Sequence, residues 1–546
     1  MTEERVLDRL CAHHGIGARY HDIQGREHRV SDRTRRALLR AMGVSAGNEK
    51  TERHSLRVAL EGDWQRILPP VQVLWEDAET LELPLTLPAE LAGRTLRWVL
   101  REEQGAMTAG GLDLGSLAVM EKRRVRGRTW ILKPITLPPP RQTGYHHLEL
   151  YFDGPLPESL QEPPLGRPEG ALASIRLILA PRACYQPEGV SGDRRAWGLT
   201  TTLQAVRSAR DWGIGDFTDL TRLVELTAAA GGGAVALNPL HALFPRQPER
   251  RNPYEPSSRV FLNVLHLDVE RIPELAACPE LRAEIGSEDF QARLRAVRAS
   301  TWIDFSAVAR AKLGLLEGLY RHFRDHQLDP DGPGGQAFRA YCAQQGEPLR
   351  RFTLHEALAE HLSAGTGAPL ALGDWPAPYR DPSSPEVAAF ATAQADRLTF
   401  HAWLQWQAHR QLQAVGRRAL ELHLALGLCL DLAVGAAADG ADAWADPEAF
   451  VTGATVGAPP DDFSPKGQNW GVLAWRPEAL RERAYAPLIA ALRANMRDAG
   501  ALRIDHVMGL MRLFLIPAGA SPKEGAYVHY PFAELLGVLT LESQRN

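Results

Sequence analysis

The stretch ALRIDHVMGLMRLF, residues 501–514, places an arginine two positions before an aspartate inside an apolar run. Residues two apart in a strand share a face, so Arg503 and Asp505 point one way while Leu502 and Ile504 point the other. A guanidinium beside a carboxyl group favours the ionised carboxylate, the form a nucleophile needs at neutral pH. In a strand of a (β/α)8 barrel, the carboxyl end lies on the face where such barrels hold their active sites, and Asp505 would be the last inward residue. A purely structural ion pair at a strand end accounts for the motif equally well.

Three further clusters carry polar or aromatic side chains in loops. In WGIGDFTDL, 212–220, Asp216 is placed to cap the following helix, and taken alone that is its reading. In NPYEPSS, 252–258, Tyr254 could present a ring to a ligand, or the stretch could be a turn built on Pro253 and Pro256. In GAPPDDFSPKGQNWG, 457–471, Trp470 on a polar loop suits stacking against a sugar, which has apolar faces and hydroxyl edges. All four clusters fall in or just after candidate strands, and loops after barrel strands converge on one face.

The strands are AWGLTTTL (196–203), GAVALNPL (233–240), LGLCLDLAV (426–434) and ALRIDHV (501–507), each followed by helical pattern, the grammar of parallel βα units. A largely helical insertion over about 270–420, broken by a Gly/Pro-rich stretch at 329–335, separates the second and third. Upstream, residues 1–50 read as a helical segment in which Ser31 caps DRTRRALLRAMG and Gly43 ends it. Residues 51–185 read as an antiparallel β-sandwich-like domain, with runs at 71–75, 81–87, 95–100, 145–152 and 174–180. A Pro-rich interval, 134–168, should give it long stiff connections. The expected architecture is therefore a small helical segment, a sandwich, and an α/β unit of TIM-barrel type over 186–546.

Other chemistries are set aside. HEALAEH, 355–361, has histidines six apart where two zinc ligands on one helix face need four, and it reads as a surface helix. DPDGPGG, 329–335, begins like a calcium loop but offers Ala340 where the bidentate acid is required. Arg33, Arg35, Arg36 and Arg40 lack interleaved aromatics, which favours an exposed helix face over a nucleic-acid arm. With 62 Lys plus Arg against 66 Asp plus Glu, net charge −4, there is no global drive toward nucleic acid or an anionic membrane. Five dispersed cysteines and the lack of an apolar leader or 18-residue apolar run point to a soluble chain in a reducing, cytoplasmic compartment.

Taken together, WGIGDFTDL, ALNPLHALFP, NPYEPSSR, DLAVG (431–435), VGAPPDDFSPKGQNWG, ALRIDHVMGL and GAYVHYPF (525–532) resemble the 4-α-glucanotransferases of glycoside hydrolase family 77. GIGARYHDIQG, 15–25, is similar to the extended bacterial maltose-utilisation branch. The resemblance implies a (β/α)8 barrel with helical insertions that transfers α-1,4-glucan segments between maltooligosaccharides, with retention of configuration and a covalent glycosyl-enzyme intermediate. It implies Asp505 as nucleophile, Arg503 as its charge partner and His506 as a neighbouring sugar contact. Tyr254 and Trp470 would be sugar-stacking residues, with Asp439, in DGADAW, as a further hydroxyl partner. No metal or organic cofactor is implied.

Retaining enzymes need a second carboxyl group as acid and then base. The family carries that Glu in a G-E-D-L-G-like strand and a third catalytic Asp in a later H-D motif, and neither follows Asp505 here. The expectation is a carboxy-terminally truncated glucanotransferase with half a barrel and no measurable transfer; the alternative is a non-catalytic α-glucan-binding protein.

Overall fold

The computed structural model describes residues 5–22, 24–152, 170–366 and 370–546. Among these residues, no helix is long and apolar enough to cross a membrane.

The amino-terminal part holds helices Val6–His13, Asp32–Ala41 and Glu49–Gln65. The Ser31 hydroxyl accepts from the Thr34 N–H, as the capping pattern requires, and Gly43 takes φ +81° at the other end. The arginines of this helix are not all exposed. Arg35 is buried between Asp8 and Asp32, and Arg36 bonds Glu52, so two of the four charges tie helices together. Helix Glu49–Gln65 also runs across the expected boundary at residue 50, and the first sandwich strand starts only at Val71.

The sandwich stacks a five-stranded sheet on a three-stranded one. The first orders Val71–Trp75, Ala173–Ala180, Gly144–Phe152, Thr95–Arg101 and Met107–Asp113; the second orders Leu81–Pro88, Arg128–Leu137 and Glu121–Val125. Leu81, Leu83, Leu85 and Leu87 alternate inward and pack with Leu96, Leu148, Leu150 and Leu177. Each such burial contributes about 2 kcal/mol relative to exposure. Two expectations need correcting. The sandwich is not wholly antiparallel, because Val71–Trp75 pairs parallel with residues 176–180. Pro134 is not in a stiff connection but inside a strand, directly opposite Pro84. The Thr86 N–H bonds Ile67 outside this pair of strands, so Pro84, two residues away on the same edge, forfeits no bond between them. Residues 153–169 of the expected Pro-rich interval lie outside the described residues.

The expected barrel strands appear as Gly198–Thr201, Ala234–Leu237, Gly427–Leu432 and Ala501–Ile504, all parallel and in that order. The insertion is helical, and its long helix Ala395–Glu421 packs against Phe217–Ala229. The helix bearing HEALAEH is not a surface helix: Leu354, Ala357 and Leu358 form an apolar face, and the buried His355 ring stacks on Trp375 at 5.4 Å.

A second, antiparallel sheet was not expected. It orders Gln468–Asn469, Ala454–Ala458, Arg512–Pro517 and Ala526–His529. The amino terminus is sewn to its last strand: the Gly17 N–H donates to Tyr527 O, the His529 N–H to Gly15 O, and Ile16 bridges Val528. Gly15 sits at φ +71°, where a Cβ would lie 2.9 Å from His529 O, so only glycine fits without displacement.

Candidate active site

The carboxyl ends of the four parallel strands each present a polar side chain, and these side chains form one hydrogen-bond chain. Thr202, just past the first strand, donates through Oγ1 to Asn238 Oδ1 (2.6 Å), just past the second. Asn238 Nδ2 donates to the Tyr254 hydroxyl (2.8 Å), which donates to Asp431 Oδ2 (2.8 Å) on the third strand. Arg503, on the fourth, bonds Asp431 Oδ2 with one terminal nitrogen and Asp505 Oδ1 with the other (2.8 Å). All of these bonds run toward the two carboxyls, which are the acceptors at the end of the chain.

Asp505 is the last residue of its ladder. Its N–H donates to Leu432 O (3.0 Å), and His506 then takes the left-handed conformation at φ +47°, which breaks the strand and turns the chain. The alternation read from ALRIDHV holds, since Arg503 and Asp505 meet on one face.

The two carboxyls differ in exposure. The Asp431 side chain is 2% exposed and that of Asp505 26%, with Arg503 at 52% between them. Burial pushes Asp431 above the ordinary carboxylate range, against the pull of its bonds to Tyr254 and Arg503. Burial, followed by the hydrogen bond to Asp431, likewise raises the Tyr254 phenol, which stays protonated and donating. Burial lowers His506, and its Nε2 is buried without a partner.

The strand ends are braced from behind. His241, fully buried and pushed down to about 3 by desolvation, is neutral, and its Nε2 accepts from the Ala433 N–H (3.2 Å). Arg259, also fully buried, donates to Val434 O (3.0 Å) and lies over the Trp475 ring at 3.9 Å. These contacts fix the turn after Leu432.

Trp470 enters from the antiparallel sheet rather than from a free loop. Its N–H bonds Val456 O (2.9 Å), its indole N–H bonds Gln468 Oε1 (3.0 Å), and its ring meets His506 edge-on at 4.9 Å. Arg503, Asp505, His506, Tyr254 and Trp470 are thus linked by contacts. Asp439 is not: both its carboxylate oxygens are taken by Arg250 (2.8 and 2.9 Å), beside the Tyr254 loop. Asp216 caps helix Phe217–Ala229 and bonds Arg210, as its capping reading implies.

Asp431, Asn238 and Thr202 were not singled out from sequence. Their signal is present, because each is a polar residue within or just past the apolar run of a barrel strand.

The family model described as 4-alpha-glucanotransferase, glycoside hydrolase family 77, matches residues 201–546, and that of the MalQ N-terminal beta sandwich domain matches 67–181. A 4-alpha-glucanotransferase of Haemophilus influenzae is 37% identical over 75% of this chain and 56% of its own length. One of Mycobacterium tuberculosis is 35% identical over 99% of this chain and 70% of its own length. The crystal structure of amylomaltase from Corynebacterium glutamicum superposes with a TM-score of 0.80 at 28% identity, covering 99% of this chain and 70% of that one. The sequence thus spans between about half and 70% of these relatives. On the match to more than half its residues and the full-length likeness to the mycobacterial relative, the chain belongs to the 4-alpha-glucanotransferase family, glycoside hydrolase family 77.

Proposed function

We propose that residues 1–546 carry the nucleophile-bearing part of a retaining 4-α-glucanotransferase site, which moves α-1,4-glucan segments between maltooligosaccharides. The supporting observation is the single guanidinium of Arg503 shared between the buried Asp431 and the more open Asp505. Asp505 attacks the anomeric carbon, the glycosidic bond breaks, and the leaving oxygen takes a proton from a general acid. Arg503 orients Asp505 and balances its charge. Trp470 and Tyr254 hold sugar faces, His506 contacts the sugar beside the nucleophile, and Asp439, once released from Arg250, accepts from a hydroxyl. No metal or organic cofactor enters this reading. The surrounding fold is the amino-terminal half of a (β/α)8 barrel, and the setting is the cytoplasm.

Neither the G-E-D-L-G-like strand nor the later H-D motif lies among these residues, so natural glucans lack a proton donor here and maltotriose should not be disproportionated by this chain. A donor whose leaving group departs unaided separates the nucleophile from the acid. Incubated with α-maltosyl fluoride, the chain should gain one maltosyl group on Asp505, seen by intact-protein mass spectrometry, and Asp505→Asn should gain none. Maltooligosaccharide binding with no adduct on the unsubstituted chain would favour the α-glucan-binding protein instead.

A further inference from the structure

Helix Ala395–Glu421 presents Gln407, Arg410, Gln411, Ala414 and Arg417 at helical spacing to an open groove. Thr218 and Thr221 of helix Phe217–Ala229 and Arg271, at the start of the insertion, also line it. None of these residues belongs to the cluster around Asp505.

The charge of the groove is unbalanced. Arg271, Arg410 and Arg417 have no ion-pair partner among the described residues, whereas their neighbours do: Arg418 pairs with Glu225 and Glu421, and Arg210 with Asp216, Asp219 and Asp268. Glu274, whose field reaches Arg410, makes no ion pair with it. Arg410 rests on the Trp406 ring, 4.7 Å from its centroid, which fixes the direction of its fork.

A second observation points to a ligand. Gln407 is 1% exposed and lines the groove; its Oε1 accepts from Arg410 (3.3 Å), but its Nε2 is buried without any partner. Buried amide donors are rarely left unmatched, and one in the groove wall beside the Arg410 guanidinium suits an acceptor supplied from outside. Guanidinium forks match phosphate oxygens in geometry and charge, and carboxamides such as Gln407 and Gln413 match hydroxyls. No exposed aromatic platform lines the groove, which disfavours single-stranded nucleic acid.

We propose that this groove binds a phosphorylated sugar, its phosphate held by Arg271, Arg410 and Arg417 and its hydroxyls by the carboxamides of Gln407 and Gln413, both in the groove wall. Isothermal titration of the full chain with glucose 6-phosphate, inorganic phosphate and glucose tests it. Glucose 6-phosphate should saturate one site, inorganic phosphate should bind more weakly at the same site, and glucose should give no signal at equal concentration. The double variant Arg271→Gln/Arg417→Gln should bind glucose 6-phosphate on the order of tenfold more weakly. Both side chains are exposed, so its melting temperature should match that of the unsubstituted chain. Gln413→Ala should weaken glucose 6-phosphate and leave inorganic phosphate unchanged. No binding of glucose 6-phosphate, unchanged affinity in the double variant, or glucose binding as tightly as its phosphate would each overturn the proposal.

Discussion

Asp431 and Arg503 stand directly opposite one another on adjacent parallel strands, and the guanidinium that reaches Asp431 also holds Asp505. One end of this three-residue bridge is buried and the other partly exposed. The buried end fixes Arg503, and Arg503 fixes the carboxylate offered to a sugar.

Asp431→Asn keeps the shape of the anchor and removes its charge. Stability should fall by about 1 kcal/mol, because the half-exposed Arg503 can be hydrated and the buried carboxyl was itself costly. Labelling of Asp505 by α-maltosyl fluoride should slow at least tenfold, about 1.4 kcal/mol in barrier. An unchanged labelling rate would show that Asp431 does not position Arg503.

Tyr254→Phe retains the ring and loses a hydroxyl that donates to Asp431 and accepts from Asn238. Denaturant melts should show a loss of about 1 kcal/mol. Maltooligosaccharide affinity should survive in Tyr254→Phe and fall in Tyr254→Ala, which a binding isotherm for each variant resolves.

Stability should decline as pH falls from 7 to 5. His241 and His266 are held down to about 3 and about 4 by burial, so below about 6.5 the unfolded chain takes up protons that the folded chain cannot. Each contributes a slope of up to about 1.4 kcal/mol per pH unit, lost as pH drops through this window and absent above it. His241→Gln retains an acceptor for the Ala433 N–H and should flatten the profile of urea midpoint against pH.

Gly15→Ala should unseat the amino-terminal segment. A methyl group at φ +71°, 2.9 Å from His529 O, forces the seam apart at a cost of about 1–2 kcal/mol. Limited proteolysis should then cut near residues 15–25 faster than in the unsubstituted chain, while cleavage within the sandwich stays the same.

The four barrel strands were legible because each is a short apolar run with a polar residue at its carboxyl end, a pattern set within a few residues. Arg503 and Asp505 were legible for the same reason, since strand alternation alone puts them on one face. Asp431 was harder to see, because an acid inside LGLCLDLAV acquires meaning only when Arg503, far along the chain, arrives opposite it. The antiparallel sheet was missed on similar grounds: Ala454–Ala458 has little alternation of its own and is a strand because Arg512–Pro517 pairs with it. HEALAEH looked polar and exposed until Trp375, from the next turn of chain, and Trp444, from much further along, packed against His355.

The seam between Gly15–Gly17 and Ala526–His529 also sets an order of assembly. Among the described residues, the buried sandwich core lies between Leu68 and Leu177 and can close while synthesis continues. Leu7, Leu10 and Ile16, made earlier, share their core with Val456, Phe514 and Val528, made much later. Helix Asp32–Ala41, which packs on strand Arg512–Pro517, therefore keeps an apolar face uncovered until that strand has been made, an interval in which a chaperone would be of use.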